Sequence, residues 1–405
     1  MSFSTIARAI AESPTLSLNQ TARTLREKGE AVIHLGGGEP KNRAPISAIR
    51  ASAAMLEEGE IKYTPTNGIP SLKKAIVRYT DENYGRIVGP ENVIVSAGAK
   101  HSLYNLLFAL LDPKDEVIVL APYWVSYPEM IRMVRGVPVI VAPQDGRFIP
   151  RMKDIESAVS PRTKAIIVNS PNNPSGVMYP EELIAEIVRF CEARGITLIS
   201  DDIYHKLVFD GKTPVSPYKF TDRDPEQTNI VTINGISKLY GMTGFRIGWA
   251  VAPKALVRVL GNIQGQTISC TSGLLQAAAV GALTGPQSPV DDLRLALENN
   301  RNLMMRELRA FAGVKVTQPD GTYYCLPDFR AYGHSSVELS QMLLKRALVV
   351  TVPGKDFGME GHLRLSYCTS AEDITEGVAR MRWALDPNAP QEISIGGKKV
   401  VRDWL

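Results

Sequence analysis

Residues 164–202 read KAIIVNSPNNPSGVMYPEELIAEIVRFCEARGITLISDD, and this stretch decides the fold class. Residues 164–168 form a short apolar run that stops at Asn169-Ser170-Pro171, as a buried strand does on entering a turn. Pro180 opens a helix-length segment, 181–194, and residues 196–200 are apolar again before Asp201-Asp202. The same alternation extends outward to runs at 92–96, 116–120, 137–142, 229–233 and 247–251, with a helix expected over 100–111. Nearly continuous apolar strands joined by helices predict an α/β fold, with a seven-stranded and largely parallel sheet covered on both faces. The run 247–251 follows residue 233 too closely for a crossover helix, so an antiparallel strand is expected there.

The chain has 405 residues, 44% hydrophobic and 22% charged, with 46 Lys and Arg against 42 Asp and Glu. That composition excludes disorder, collagen and coiled coil. A net charge of +4, spread along the chain, points to neither nucleic acid nor a membrane surface as partner. Cys191, Cys270, Cys325 and Cys368 lie far apart and are expected as reduced thiols in a cytoplasmic protein. The five histidines fall singly, without metal spacing. No signal peptide is expected, and the longest apolar stretch, near 103–111, is far short of the ~20 residues of a membrane span.

Residues 48–285 are expected as one large domain. A second, smaller αβ region follows, with a helix over 291–311, strand-like runs at 313–318, 321–326, 347–352 and 363–367, and a helix near 337–346. Residues 1–47 carry no core of their own and are assigned with 286–385 to that region. Residues 386–405 form an extension in which 393–401, around Gly396-Gly397, suits a small hairpin.

Ligands of open α/β sheets bind at strand ends, which directs attention there. Ser96-Ala97-Gly98-Ala99-Lys100 opens a helix and is either a phosphate cradle or a plain tight turn. The turn 169–176 presents three asparagines. Asp201 is either a helix cap or a charge held for a cationic group. Lys238, in a small Gly-punctuated segment between apolar strands, suits an amine nucleophile and base, and Arg246 suits a phosphate or carboxylate clamp. An amine, an acid, amides and a phosphate cradle together match the needs of pyridoxal 5′-phosphate. No GxGxxG follows a strand, and Pro353-Gly354-Lys355-Asp356 lacks the glycine and hydroxyl of a Walker loop.

From about residue 13 to 381 the chain resembles the class I/II aminotransferases of pyridoxal-phosphate fold type I. The carrying motifs are Asn172-Asn173-Pro174-Ser175-Gly176, Ser200-Asp201-Asp202-Ile203-Tyr204, Ser237-Lys238 with Gly244-Phe245-Arg246-Ile247-Gly248-Trp249, and Arg364-Leu365-Ser366-Tyr367. Gly37-Gly38-Glu39-Pro40, Tyr63-Thr64-Pro65 and Pro122-Tyr123-Trp124-Val125-Ser126-Tyr127 are most similar to the bacterial aspartate and aspartate/prephenate branch. The resemblance implies that Lys238 forms the Schiff base and moves protons. Asp201 pairs with the pyridinium nitrogen, and Asn173 and Tyr204 bond the 3′-oxygen. Trp124 stacks on the ring, and Gly98, Ala99, Lys100 and Arg246 bind the phosphate. Tyr63 reaches the phosphate of the other subunit in a homodimer. Arg364, with Gly38, Trp124 and Asn173 nearby, holds the substrate carboxylate, while Thr15 and Lys100 sit at the side-chain pocket.

Read singly, Trp124 and Tyr123 also suit core aromatics, and Tyr63 a packing residue. Three departures stand out: Gly235 where a small polar phosphate ligand is common, Ala99 in the phosphate turn, and Lys41-Asn42 after Pro40. The expected reaction is ping-pong transfer of an amino group from aspartate or glutamate to a 2-oxo acid. The rivals are alanine, aromatic or prephenate aminotransferases, a carbon–sulfur lyase or cyclopropane-forming synthase on the same fold, and a non-catalytic regulator. The last would need a DNA-binding helix that the chain lacks.

Overall fold

The computed structural model describes residues 1–10, 14–144 and 146–404. Seven strands form one sheet, in the order Val93–Ser96, Gly248–Val251, Ile230–Gly235, Thr197–Asp201, Thr163–Val168, Glu116–Leu120 and Val137–Val141. Gly248–Val251 runs antiparallel to both neighbours, as its short connection requires, and the other pairs are parallel. Side chains alternate between two cores. Val93, Val95, Ile118, Leu120, Ile166 and Val168 enter one, and Ile94, Val117, Val119, Ala165 and Ile167 the other. A strand sandwiched in this way must be apolar at every position, which is why these runs lack polar alternation. Val137–Val141 lies at the sheet edge and is buried only at its last residue.

The helix Glu181–Arg194 begins after Pro180 with two acids in its first turn and ends with Arg194 before Gly195, whose φ is +66°. Both ends thus suit the helix dipole, and the glycine supplies the left-handed stop. Ala99–Leu110 starts one residue before its expected position, because Gly98 is the cap.

Beyond the sheet, Ser288–Arg309 and Ala371–Leu385 are long helices that pack together. Ile33–His34 pairs in parallel with Val349–Val350, so the N-terminal segment is tied to the C-terminal third of the same chain. The run 313–318 does not become a strand: it keeps a single bridge, between Lys315 and Asp328. In the run 347–352, Ala347 ends the helix Ser336–Ala347 with Leu348 (φ +54°) as its cap. The rest divides at Thr351 into Val349–Val350, which pairs with Ile33–His34, and Val352–Pro353, which pairs with Leu363 and Arg364.

The tail folds as the hairpin Glu392–Ile395 with Lys398–Val401. It is anchored by Arg402, buried among backbone carbonyls, which donates to Trp383 O at 3.1 Å, Pro387 O at 3.1 Å, Ala389 O at 2.6 Å and also Asp386 O. Trp404 stacks edge-on against Trp383 with ring centroids 5.3 Å apart. Arg402→Ala is expected to lower stability by about 2 kcal/mol or more, since four carbonyls lose a charged donor. Urea denaturation followed by tryptophan fluorescence checks this, and an unchanged midpoint would show that the tail is held by its apolar contacts alone.

Candidate active site

Ser96, Asp201 and Gly235 end parallel strands at one edge of the sheet, and Gly248 begins the antiparallel strand there. Ser96 and Gly235 are both in register with Gly248. The turn into Ala99–Leu110 and the segment carrying Lys238 therefore flank one glycine. A Cβ on Gly248 would lie 2.2 Å from Ala99 N, so any side chain would push the turn away. Gly98 has φ +88°, and a Cβ there would lie 2.5 Å from an Nη of Arg246. The Arg246 guanidinium thus rests on the turn, donating to Ala97 O at 3.4 Å and Thr243 O at 3.3 Å. Free amides at the start of a 12-residue helix, with a guanidinium beside them, suit a phosphate group. At Gly235 a Cβ would lie 2.8 Å from Ile247 O, so the polar side chain common at that place has no room, and buried Ser237 is the hydroxyl nearby.

Asp201 is buried at the end of its strand and accepts from Tyr127 Oη at 2.6 Å. Burial pushes its carboxyl up to about 6, against the opposing pull of the Tyr127 hydroxyl, the Ile203 amide and the Lys238 charge. A carboxylate held here lacks a full charge partner, so a cationic nitrogen in the cavity would relieve it. Its neighbour Asp202 points into a separate buried cluster, bonded by Ser200 Oγ at 2.6 Å and pushed up to about 7 by burial.

Asn169 orders the next layer, donating to Asp201 O at 2.8 Å and accepting from Asn173 N at 2.9 Å. The Asn173 side chain then faces Tyr204 Oη at 3.5 Å and accepts from Arg364 at 3.2 Å. Arg364 is 2% exposed and lies 4.2 Å over the Tyr324 ring, with a further bond to Gly36 O at 3.1 Å. Its Nε has no partner, and among the described residues no carboxylate pairs with it. A buried guanidinium with a vacant donor is built for an incoming anion. Lys238 Nζ, half-buried, donates to Gly38 O at 2.8 Å, and Tyr323 Oη donates to the same carbonyl at 2.9 Å.

These groups line a cavity of about 510 Å³. Of the residues expected at the site, Gly38, Ala99, Lys100, Trp124, Asn173, Asp201, Tyr204, Lys238, Arg246 and Arg364 line it, and Gly98 caps the helix at its edge. Lys100 Nζ lies 4.7 Å over the Trp124 ring, and partial enclosure, then Arg246 and Lys238, lower its pKa. Tyr63 is 91% exposed and does not line the cavity. Thr15 belongs to the helix Pro14–Glu27, but its side chain lies outside the described residues. Sequence reading gave no role to Tyr127, Asn169, Tyr323 or Tyr324. The first two stood inside quoted motifs, whereas the tyrosine pair offered only a strand-like run as a signal.

The family model "Aminotransferase class I and II" matches residues 30–381. The chain belongs to that family. This aminotransferase is 37% identical to an aspartate aminotransferase of Geobacillus stearothermophilus, over 94% of this chain and 98% of the relative. It is 38% identical to an aspartate/prephenate aminotransferase of Thermus thermophilus, over 92% and 96%. The solved aspartate aminotransferase of Thermus thermophilus with maleate superposes with a TM-score of 0.90 at 37% identity, covering 94% of this chain and 99% of that one. The aminotransferase therefore has the fold type I architecture that the resemblance implied, on the seven-stranded α/β sheet that the alternation of strands and helices predicted.

Because the folded aminotransferase raises Asp201 from 3.8 to about 6, it binds that proton more tightly than the unfolded chain does. Stability is thus lost as pH rises from about 4 to about 6, and the full penalty persists above. Asp201→Asn is expected to stabilise the ligand-free protein by roughly 2–3 kcal/mol at about pH 8 and to leave it unchanged below about pH 4. Urea melts at the two pH values decide it, and equal effects at both would refute the burial argument.

Proposed function

We propose that the protein is a pyridoxal 5′-phosphate-dependent aspartate aminotransferase working as a homodimer. The observation that carries this is a buried, carboxylate-free Arg364 sharing one cavity with Lys238, Lys100 and Arg246, opposite Asp201. The residues fit the cofactor: a cradle that a Cβ would fill, a buried acid short of a cation, and an amine beside both. Amides at Gly98–Lys100 and Arg246 would hold its phosphate, Asn173 and Tyr204 its 3′-oxygen, Trp124 its ring face, and Asp201 its ring nitrogen.

When bound, this cofactor supplies an electron sink for the pair left when a substrate Cα loses its proton. Arg364 grips the substrate carboxylate with two parallel bonds and fixes the Cα–H relative to Lys238. The Lys238 amine takes that proton and returns one on the product side, acting as general base and then acid. Gly38 O, 2.8 Å away, orients the amine. Asp201 would stay ionised against a cationic ring nitrogen, so the site would be arranged before charge develops. The exchange is amino acid plus 2-oxo acid to give the matching oxo acid and amino acid, in two half-reactions at one site.

A cavity with four cationic side chains favours a donor with two carboxylates, with Lys100 toward the second. The maleate in the Thermus structure, itself a dicarboxylate, supports that reading. Prephenate as an acceptor is the second reading, supported by the double name of the Thermus relative. Residues 48–285 form the cofactor domain in this proposal, 1–47 and 286–385 the smaller one, and 386–405 an extension against it.

Purified enzyme titrated with aspartate, glutamate, alanine and phenylalanine tests the assignment by its visible absorbance. Aspartate and glutamate should convert the spectrum at concentrations about 100-fold below the other two, a gap of roughly 2.7 kcal/mol. Preference for alanine or phenylalanine would overturn it. Lys238→Ala should abolish turnover, whereas Arg364→Ala should lower kcat/KM by about 10²–10³, the loss of one buried charged partner.

A further inference from the structure

Tyr63 projects into solvent with 91% of its surface exposed, yet the irregular segment behind it is anchored by buried amides. Gln276 in the helix Gly273–Thr284 and Gln264 in the helix Lys254–Thr267 are both fully buried. Gln276 accepts from Ile69 N at 2.8 Å through Oε1, while its Nε2 donates to Thr64 Oγ1 at 3.0 Å and Thr271 O at 2.9 Å. Thr64 Oγ1 itself donates to Thr271 O at 3.1 Å. Gln264 Nε2 bridges Thr66 O at 2.6 Å and Val95 O at 2.8 Å. Close approach adds to this: Gly68, with φ +105°, has no space for a Cβ against Val95, nor has Gly261 against Asn67.

The two glutamines join the loop, through Thr64 Oγ1, Thr66 O and Ile69 N, to Thr271 O and to Val95 O of the strand Val93–Ser96, and so pair polar groups that would otherwise be enclosed without partners. A loop needs no such support merely to place an aromatic ring in water. Val95 also belongs to the strand that runs into the phosphate turn, so Gln264 ties the Tyr63 segment to the turn of its own subunit.

We propose that Gln276 and Gln264 are positioning residues that hold Tyr63 at the angle needed to reach the phosphate site of a second copy of this chain. The proposal rests on the shared-site dimer described above. Its mechanism is preorganisation: the loop is ordered before the subunits meet, so the tyrosine hydroxyl loses little freedom on contact.

A double-mutant cycle on the full-length protein tests this, reading the dissociation constant of pyridoxal 5′-phosphate by fluorescence alongside subunit state by sedimentation. Tyr63→Phe should raise that constant about tenfold, as expected for one charge-assisted bond. Gln276→Met should raise it about five- to tenfold, and the double variant should be no weaker than Tyr63→Phe alone. Thr64→Val removes the same Oγ1 contact and carries an identical cycle if Gln276→Met does not fold. Multiplying effects, or no effect of either loop variant while Tyr63→Phe weakens binding, would overturn the positioning role and leave the shared site standing. No change in Tyr63→Phe would overturn the shared site and the proposal with it.

Discussion

The approach of Gly248 to Ala99 N, where a Cβ would lie at 2.2 Å, sets the dimensions of everything around it. It allows the helix Ala99–Leu110 to start directly above the antiparallel strand, and it lets Arg246, just ahead of Gly248, lie across Gly98. On the other side of the same strand, Gly235 is closed off by Ile247 O and delivers the chain to Lys238. Backbone packed against backbone is stiff, so the amine and the anion cradle are fixed relative to one another without relying on mobile side chains.

The electrostatics follow from that geometry. Four cationic side chains converge on a cavity whose buried acid, Asp201, is raised by burial. In isolation such an arrangement is unfavourable: an acid short of a partner and a guanidinium with a vacant Nε both cost folding free energy. The surrounding core of two layers on either side of a seven-stranded sheet supplies the stability that lets the site persist in this state. The family's chemistry needs that unmet charge, because binding then satisfies it.

Much of the fold was legible from strand runs that are apolar at every position, since a doubly covered strand leaves no ambiguity about burial. The antiparallel strand Gly248–Val251 was legible from connection length alone. Short strands in the C-terminal third were not, because one run changes pairing partner at Thr351 and another keeps only a single bridge, and which partner lies alongside is not a local property of the sequence. The site was legible where a reactive residue lies at a strand end or a few residues past it, as with Asp201 and Lys238. It was illegible where a partner comes from far along the chain, as Tyr127 comes to Asp201 and Tyr323 to Gly38.

The sequence by itself determined the order of strands and helices, the membership in an aminotransferase family and the reactive groups, because these depend on local pattern and on motifs a few residues long. Tertiary structure alone decided that Arg364 is buried with no carboxylate beside it among the described residues, that the Gly38 carbonyl holds Lys238, and that Tyr63 stands outside the cavity. Those are facts of proximity between segments hundreds of residues apart, and burial, which sets the charge on Asp201, exists only once the chain has closed around it.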